Sequence, residues 1–319
     1  MIAYIVRRLL LIIPTLFLVT VIIFVIGRMI PGSAVDQMLA HMSGHQMGIE
    51  WTREDLLRVL GLDLPVHTQY INWIGGVFQG DLGNSLWSGT PLTSELAVRL
   101  PVSLELGVMA VIFGLLIATP IGVYSAIRQD TIGDYMGRTV AVLAISVPSF
   151  WLGTLVFIYP SIWWGWSPPL EYVPFWQDFG ANLWQFTIPA IILGMLLSGF
   201  TMRTTRTMML EVLRQDYVRT AWAKGLRERT VVWRHALKNA LIPVVTIVGL
   251  MLPLVVGGAV VIEQIFCLPG IGRYLMTAIS TRDYPVIQGI NLVIASFILV
   301  VNLVVDLTYA WLDPRVTYR

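Results

Sequence analysis

Residues Asp216 to Pro243 hold the side chains best suited to gripping a partner: the acids Asp216 and Glu228, several Arg and Lys residues, and the indoles of Trp222 and Trp233. Their chemistry is binding rather than bond making, since large aromatic surfaces beside arginines are enriched at the energetic centres of protein interfaces. Asp216 would sit in the first turn of a short helix and Lys224 in its last, each complementing the helix dipole. Gly225 can adopt a left-handed conformation at little steric cost, letting the chain reverse and Leu226 fold back over the last turn. The spacing therefore predicts a helix over Asp216–Lys224, a reversal at Gly225 and a second helix from about Glu228. The block reads as a docking surface for a soluble partner. A blander reading is a basic helix held by anionic lipid, worth about 1 kcal/mol per cation near the surface; Arg219, Arg227 and Arg229 suit both.

Groups able to make or break bonds are few and scattered. His41, His45, His67 and His235 form no cluster with metal-ligand spacing, and His41 with His45 reads as two polar loop residues. The single cysteine, Cys267, excludes an intrachain disulfide. No nucleophile-base pair falls within the apolar runs, so an enzyme is not expected. Glu105, Glu263 and Asp306 lie in or beside apolar runs, where an unpaired charge is expensive and, when functional, lines a path for solutes or ions. Glu105, Ser296 and Asn302 are the candidates for such a path; structural hydrogen bonding at a membrane interface is the preferred reading for the acids. Met208 and Met209 read as packing rather than a metal route.

The elements that must position these groups follow from composition. Of 319 residues, 56% are hydrophobic and 13% charged, whereas soluble domains carry about a quarter charged residues. The chain reads as an integral membrane protein. Six uncharged apolar runs approach the ~20 residues that a ~30 Å hydrocarbon core requires: Leu9 to Ile26, Leu106 to Ile127, Thr139 to Tyr159, Leu183 to Met202, Asn239 to Ile262 and Tyr284 to Val305. Pro14, Pro120, Pro148 and Pro189 predict kinks. Arg7 and Arg8, Arg128 and Arg138, and nine of the 21 basic residues between Arg203 and Lys238 fall on one side of this pattern. The positive-inside rule then puts both termini and the basic block in the cytoplasm, and the first run reads as an uncleaved anchor. The basic block is too localised for a nucleic-acid surface, and none is expected as a partner.

Between the first two runs, residues 31–100 form an external insertion with helix grammar. Thr52 and Asp55 make a capping-box-like start, Gly61 a stop, and Val66 to Phe78 a second helix whose face carries Tyr70, Trp73, Ile74, Val77 and Phe78. Five tryptophans, Trp163, Trp164, Trp166, Trp176 and Trp184, crowd the second external loop; a headgroup-level belt explains them, with an aromatic platform for solutes as the alternative. The division is 1–30 (N-terminus and first span), 31–100 (insertion), 101–312 (five-span core with the loop 203–238) and 313–319 (C-terminus).

Ala221 and Gly225, followed by Arg234-His-Ala-Leu-x-Asn-Ala-Leu-x-Pro243, resemble the Glu-Ala-Ala loop of ATP-binding-cassette importer permeases in the form typical of the dipeptide, oligopeptide and nickel branch. Arg219 and Thr220 depart from the general pattern, as is usual in that branch. Supporting strings are Tyr4-Ile-Val-Arg-Arg-Leu, Leu60-Gly-Leu-Asp-x-Pro65, Gly80-Asp-Leu-Gly83 with Ser85, Ser146-x-Pro-x-Phe-Trp151, Pro269-Gly-Ile-Gly-Arg273, Asp283-Tyr-Pro285 and Asp313-Pro-Arg315. The resemblance implies an all-α polytopic membrane protein with six transmembrane helices and an external helical insertion. It implies a permease subunit of a binding-protein-dependent importer in a prokaryotic inner membrane, most in keeping with di- and oligopeptides, although nickel chelates, glutathione and oligosaccharides have similar permeases. Implied partners are a second permease, two ATPase subunits and an external binding protein. The chain has no phosphate loop, so ATP and Mg would bind the ATPase subunits and no cofactor this chain. Ala221, Trp222, Gly225, Leu226, Arg227 and Glu228 are the implied ATPase-coupling residues. An ion-coupled carrier is the alternative class; it would need mid-membrane charges and inverted repeats, and neither is evident.

Overall fold

The computed structural model describes residues 2–29, 33–44, 52–59, 61–169 and 171–312. The Asp313-Pro-Arg315 string, the terminal segment 313–319 and His45 lie outside them. Helices α1 (Ile2–Met29), α2 (Ala34–Gly44), α3 (Arg53–Val59), α4 (Val66–Phe78), α5 (Leu92–Ile127), α6 (Ile132–Ser146), α7 (Ser149–Trp164), α8 (Phe179–Leu213), α9 (Asp216–Ala223), α10 (Glu228–Thr230), α11 (Leu237–Ile265), α12 (Ile271–Thr281) and α13 (Tyr284–Leu312) follow in order, with a π-helical turn, Val231–Ala236, before α11. Among the described residues β structure amounts to one isolated bridge between Asn84 and Pro91.

Five stretches are long and apolar enough to cross a bilayer: Leu10–Met29, Leu92–Ile127, Phe179–Leu213, Glu228–Ile265 and Tyr284–Val305. Each coincides with an expected run. At ~1.5 Å per residue, α5 and α8 are each about 50 Å long and overshoot the hydrocarbon core. Pro14 and Pro189 lie inside continuous helices, as does Pro120.

The run Thr139 to Tyr159 is not one continuous helix. It is split between α6 and α7, which meet at 94° and make a sixth span only when counted together. Pro148 is the cause. It lacks an N–H and crowds the preceding residue out of the helical region; Val147 is extended (φ −82°, ψ 119°), and Pro148 (φ −62°, ψ 131°) starts the next helix from the β region. A kink was expected, and a right-angled elbow results.

The described residues divide into two compact units, 104–268 with 300–312, and 2–103 with 269–299, two of the divisions falling inside α5 and α13 and one between α11 and α12. In the first, α8 is the central helix, and small residues bring its neighbours to backbone contact, as membrane helix packing favours. A Cβ on Gly194 would run into the carbonyl oxygen of Ala110 on α5, and one on Gly199 would lie 2.7 Å from the carbonyl oxygen of Ala141 on α6. Ser198 Oγ donates to the Gly114 carbonyl at 3.3 Å across the first of these crossings. Gly194→Val should therefore force α5 and α8 apart and destabilise the unit by about 1–3 kcal/mol. A lower melting temperature of the detergent-purified protein is the expected reading, and an unchanged one would show that the crossing is loose.

In the second unit, the Thr52 hydroxyl accepts from the Asp55 N–H at 3.2 Å and the Asp55 carboxylate accepts from the Thr52 N–H at 3.3 Å, the reciprocal cap the sequence predicts for α3. The Thr52 hydroxyl hydrogen bond also holds the Asp55 carboxyl below the usual carboxylate range. Gly61, at φ +64°, ends that element. On α4, Tyr70 and Trp73 pack against Phe24 of α1, and Tyr70 shares a hydrogen bond of 2.9 Å with Thr20. Phe78, at the end of α4, is 87% exposed.

Three of the short sequence strings converge here. Asp283 accepts from Ser85 Oγ at 2.6 Å and from the Leu86 N–H at 3.1 Å, while the Trp87 indole donates to the Thr281 carbonyl at 2.9 Å. Gly83 lies against Pro285. The Ile271 N–H, from the Pro269–Arg273 string, donates to Ser103 Oγ at 2.8 Å. Leu92, Leu96, Leu275, Val286 and Ile290 form the apolar core beneath them.

Candidate coupling surface

The block singled out in the sequence is built on the end of α8. Arg214 and Gln215 separate α8 from α9, whose period of 3.6 residues gives it two faces. Val218 and Ala221 point inward against Val231, with Val212 and Leu213 of α8 closing the cluster. The opposite face is open: Trp222 is 44% exposed, and Arg219, Thr220, Ala223 and Lys224 are exposed with it. The Tyr217 hydroxyl accepts from Asn239 Nδ2 at 2.7 Å, tying α9 to the start of α11.

α9 ends at Ala223, with Lys224 as its cap and Gly225 at φ +74°. The Gly225 N–H donates to the Trp222 carbonyl at 2.9 Å and the Leu226 N–H to the Ala221 carbonyl at 3.4 Å. This paired closure is the Schellman arrangement, which needs a left-handed residue between its two donors. Nothing lies within 4 Å of a Cβ built on Gly225, so the requirement for glycine is one of backbone conformation alone. Leu226, Arg227, Glu228 and Arg229 continue the exposed surface. Asp216 pairs with Arg219 at 3.4 Å and Glu228 with Arg128 at 3.9 Å. Both pairs are open to solvent and contribute little to stability.

The second arm begins at Glu228 as expected, but winds as a π-helix from Val231 to Ala236 before α11 starts. A π turn within an α-helix is rare and recurs at functional positions; no periodicity in the sequence marks it. Val232, Ala236, Leu237 and Ala240 pack on Val123 and Ala126 of α5 and Met209 of α8. The exposed rim therefore stands on a dry, three-helix footing. Of the six expected coupling residues, Trp222, Gly225, Leu226, Arg227 and Glu228 share the open surface, whereas Ala221 is buried and acts from beneath as the spacer that lets α9 seat.

The path candidates fall in different units, Glu105 and Asn302 in the first and Ser296 in the second. Glu105 is held by the Tyr172 hydroxyl, which donates to it at 3.2 Å, and burial, reinforced by the Glu105 carboxylate, pushes the Tyr172 pKa up to about 12. The loop carrying Tyr172 is pinned to α8 by Gln185 Nε2, which donates to the carbonyls of Pro169 and Glu171. Ser296 and Asn302, six residues apart on α13, point about 120° apart around the helix. Glu263 is fully buried at the end of α11, and the Asp306 side chain is outside the described set. Trp163, Trp164, Trp176 and Trp184 are largely exposed and Trp166 is half-buried, an arrangement that suits a headgroup belt and an aromatic platform alike.

Comparison with known proteins places this geometry in context. Residues 118–318 match the family described as binding-protein-dependent transport system inner membrane component, and residues 1–106 match the N-terminal part of such membrane components. The chain is 38% identical to the dipeptide transport system permease protein of Escherichia coli (strain K12) over 343 residues, covering 100% of both chains. It is 38% identical to the oligopeptide transport system permease protein of Bacillus subtilis (strain 168) over 322 residues, and 38% identical to the glutathione transport system permease protein of Salmonella typhimurium over 320, again covering 100% of each chain. Among solved structures, a chain of the MetNI methionine ABC transporter superposes with a TM-score of 0.55 at 16% identity, over 69% of this chain and 96% of that one. At that identity the likeness speaks to fold alone.

Proposed function

Because this chain belongs to the family of binding-protein-dependent transport system inner membrane components, we propose that it is the permease subunit of an ATP-driven importer of di- or oligopeptides. The observation that carries the reading is full-length similarity to peptide permeases combined with an exposed α9–Gly225–α10 rim on a buried footing. A rim of this kind suits a soluble motor, because a rigid helix seated in a motor's groove transmits displacement to the spans beyond it. In this reading the exposed Trp222, Leu226, Arg227 and Glu228 meet the ATPase, and ATP with its Mg binds there. The chain makes and breaks no bonds itself. A second permease completes the path, two ATPase subunits supply the energy, and a binding protein delivers solute beside the 31–100 insertion. Both termini and the coupling rim are cytoplasmic, following the arginine distribution.

Affinity purification of the tagged chain from its native membrane should recover a second permease and ATPase subunits; recovery of the chain alone would count against the reading. Cysteines placed at Ser43 and Glu228, with Cys267 replaced, should react with membrane-impermeant maleimide from opposite sides of the membrane. Reaction from the same side would overturn the assigned orientation.

A further inference from the structure

Asp134, in the first turn of α6, has no exposed surface. Its two carboxylate oxygens accept from Nε and Nη2 of Arg206 on α8 at 2.7 and 2.8 Å. The Asp130 N–H donates to the same carboxylate at 3.0 Å, and Arg138 Nε lies 3.4 Å away with its guanidinium over the Tyr135 ring. Thr131 caps the helix by accepting from the Asp134 N–H at 3.4 Å. A bidentate fork of this kind fixes orientation as well as distance, and removing one partner leaves a buried charge uncompensated.

The position of this pair gives it a consequence beyond holding two helices together. Arg206 belongs to the helix whose end leads, after Arg214 and Gln215, into α9. Asp134 belongs to the helix that runs into the 94° elbow and α7. Ion pairs between rigid elements are among the contacts through which coupling travels. We infer that Asp134 is a positioning residue for transport: through Arg206 it makes α6 and α8 move as one body, so that displacement of α9 reaches α7 through the elbow. The inference rests on the importer reading and adds to it a route from the coupling rim to α7 through α6 and the elbow, beside the direct packing of α7 on α8 and α11.

The test uses the complete complex in lipid vesicles with its binding protein, trialanine as solute, and spin labels on the exposed positions Thr139 of α6 and Thr207 of α8. In the otherwise native complex the distance between labels should stay constant on adding ATP. In Asp134→Asn it should change with nucleotide, and uptake should fall about tenfold while binding-protein-stimulated ATP hydrolysis continues. Asp134→Asn leaves the Arg206 charge without its partner, which lowers the yield of folded complex; Asp134→Asn combined with Arg206→Gln removes both charges and should show the same uncoupling at normal complex yield. A constant distance in both variants, or uptake and hydrolysis falling together in proportion to complex recovered, would overturn the inference and leave the pair as a fold-holding contact. An unsubstituted complex that contains no ATPase or hydrolyses no ATP would defeat the importer reading itself, and that result is visible before any variant is compared.

Discussion

Gly225→Val is expected to cut uptake by about tenfold or more while leaving the chain inserted in the membrane. At φ +74°, and with no atom within 4 Å of the new side chain, the substitution meets no clash from neighbours; its cost is the left-handed backbone itself, about 1–3 kcal/mol for a β-branched residue. A penalty of that size lowers the population of the closed Schellman turn by about five- to 150-fold relative to alternatives. Val218 and Ala221 would still anchor α9, so the damage falls on the direction in which Leu226, Arg227 and Glu228 leave it. Gly225→Ala should be milder, because a single methyl tolerates the left-handed region better than a branched side chain. Uptake measured together with ATPase co-purification checks this for both variants. Full uptake and full ATPase recovery in the Val variant would make the turn a lipid-facing spacer.

Asp283→Ala should be the most damaging single change in the second unit. It removes the acceptor of Ser85 Oγ and the Leu86 N–H and the cap of α13, where the Val286 N–H also donates to the carboxylate. Losing a cap and leaving buried donors unpaired together cost about 2–4 kcal/mol. Asp283→Asn keeps one acceptor oxygen, but Ser85 Oγ already accepts from the Trp87 and Ser88 N–H groups and cannot also accept from the new amide, so it should be milder than Asp283→Ala without being neutral. Burial pushes the Asp283 carboxyl above the ordinary carboxylate range, outweighing the hydrogen bonds that lower it. The folded state therefore holds this proton more tightly than the unfolded chain. The group's contribution to stability is full below the ordinary value of about 3.9 and is lost as pH rises through the raised folded value. Acidification from neutral should thus raise the melting temperature of the native protein relative to Asp283→Asn across that window. Parallel melting curves for the two proteins would show that Asp283 does not titrate there.

Local rules carried much of the architecture. The apolar runs located the spans because hydrocarbon thickness sets a length that composition alone reveals. Thr52 with Asp55, and Lys224 with Gly225, gave element ends because a cap is made by residues within a few positions of each other. The elbow at Pro148 was legible as a kink but not in its size: proline forces a break, while the angle depends on what α6 and α7 then pack against.

What the sequence by itself determined is whatever one helix can decide alone: that the chain spans a membrane, that Asp216 to Glu228 makes a helix and a left-handed turn, and that the arginines favour one side. What the tertiary structure decided is every assignment that needs two distant segments. Ser85 and Asp283 are members of two separate short strings in the sequence until the fold sets them 2.6 Å apart. Asp134 and Arg206 drew no notice as charges flanking apolar runs, and their meaning lies in a buried fork across α6 and α8. Ala221 belongs to the coupling signature, yet only packing shows it facing Val231 rather than a partner. The physical reason is that periodicity fixes which residues share a face of one helix, whereas partner, depth and dielectric are properties of the space between helices, which no single stretch of sequence encodes.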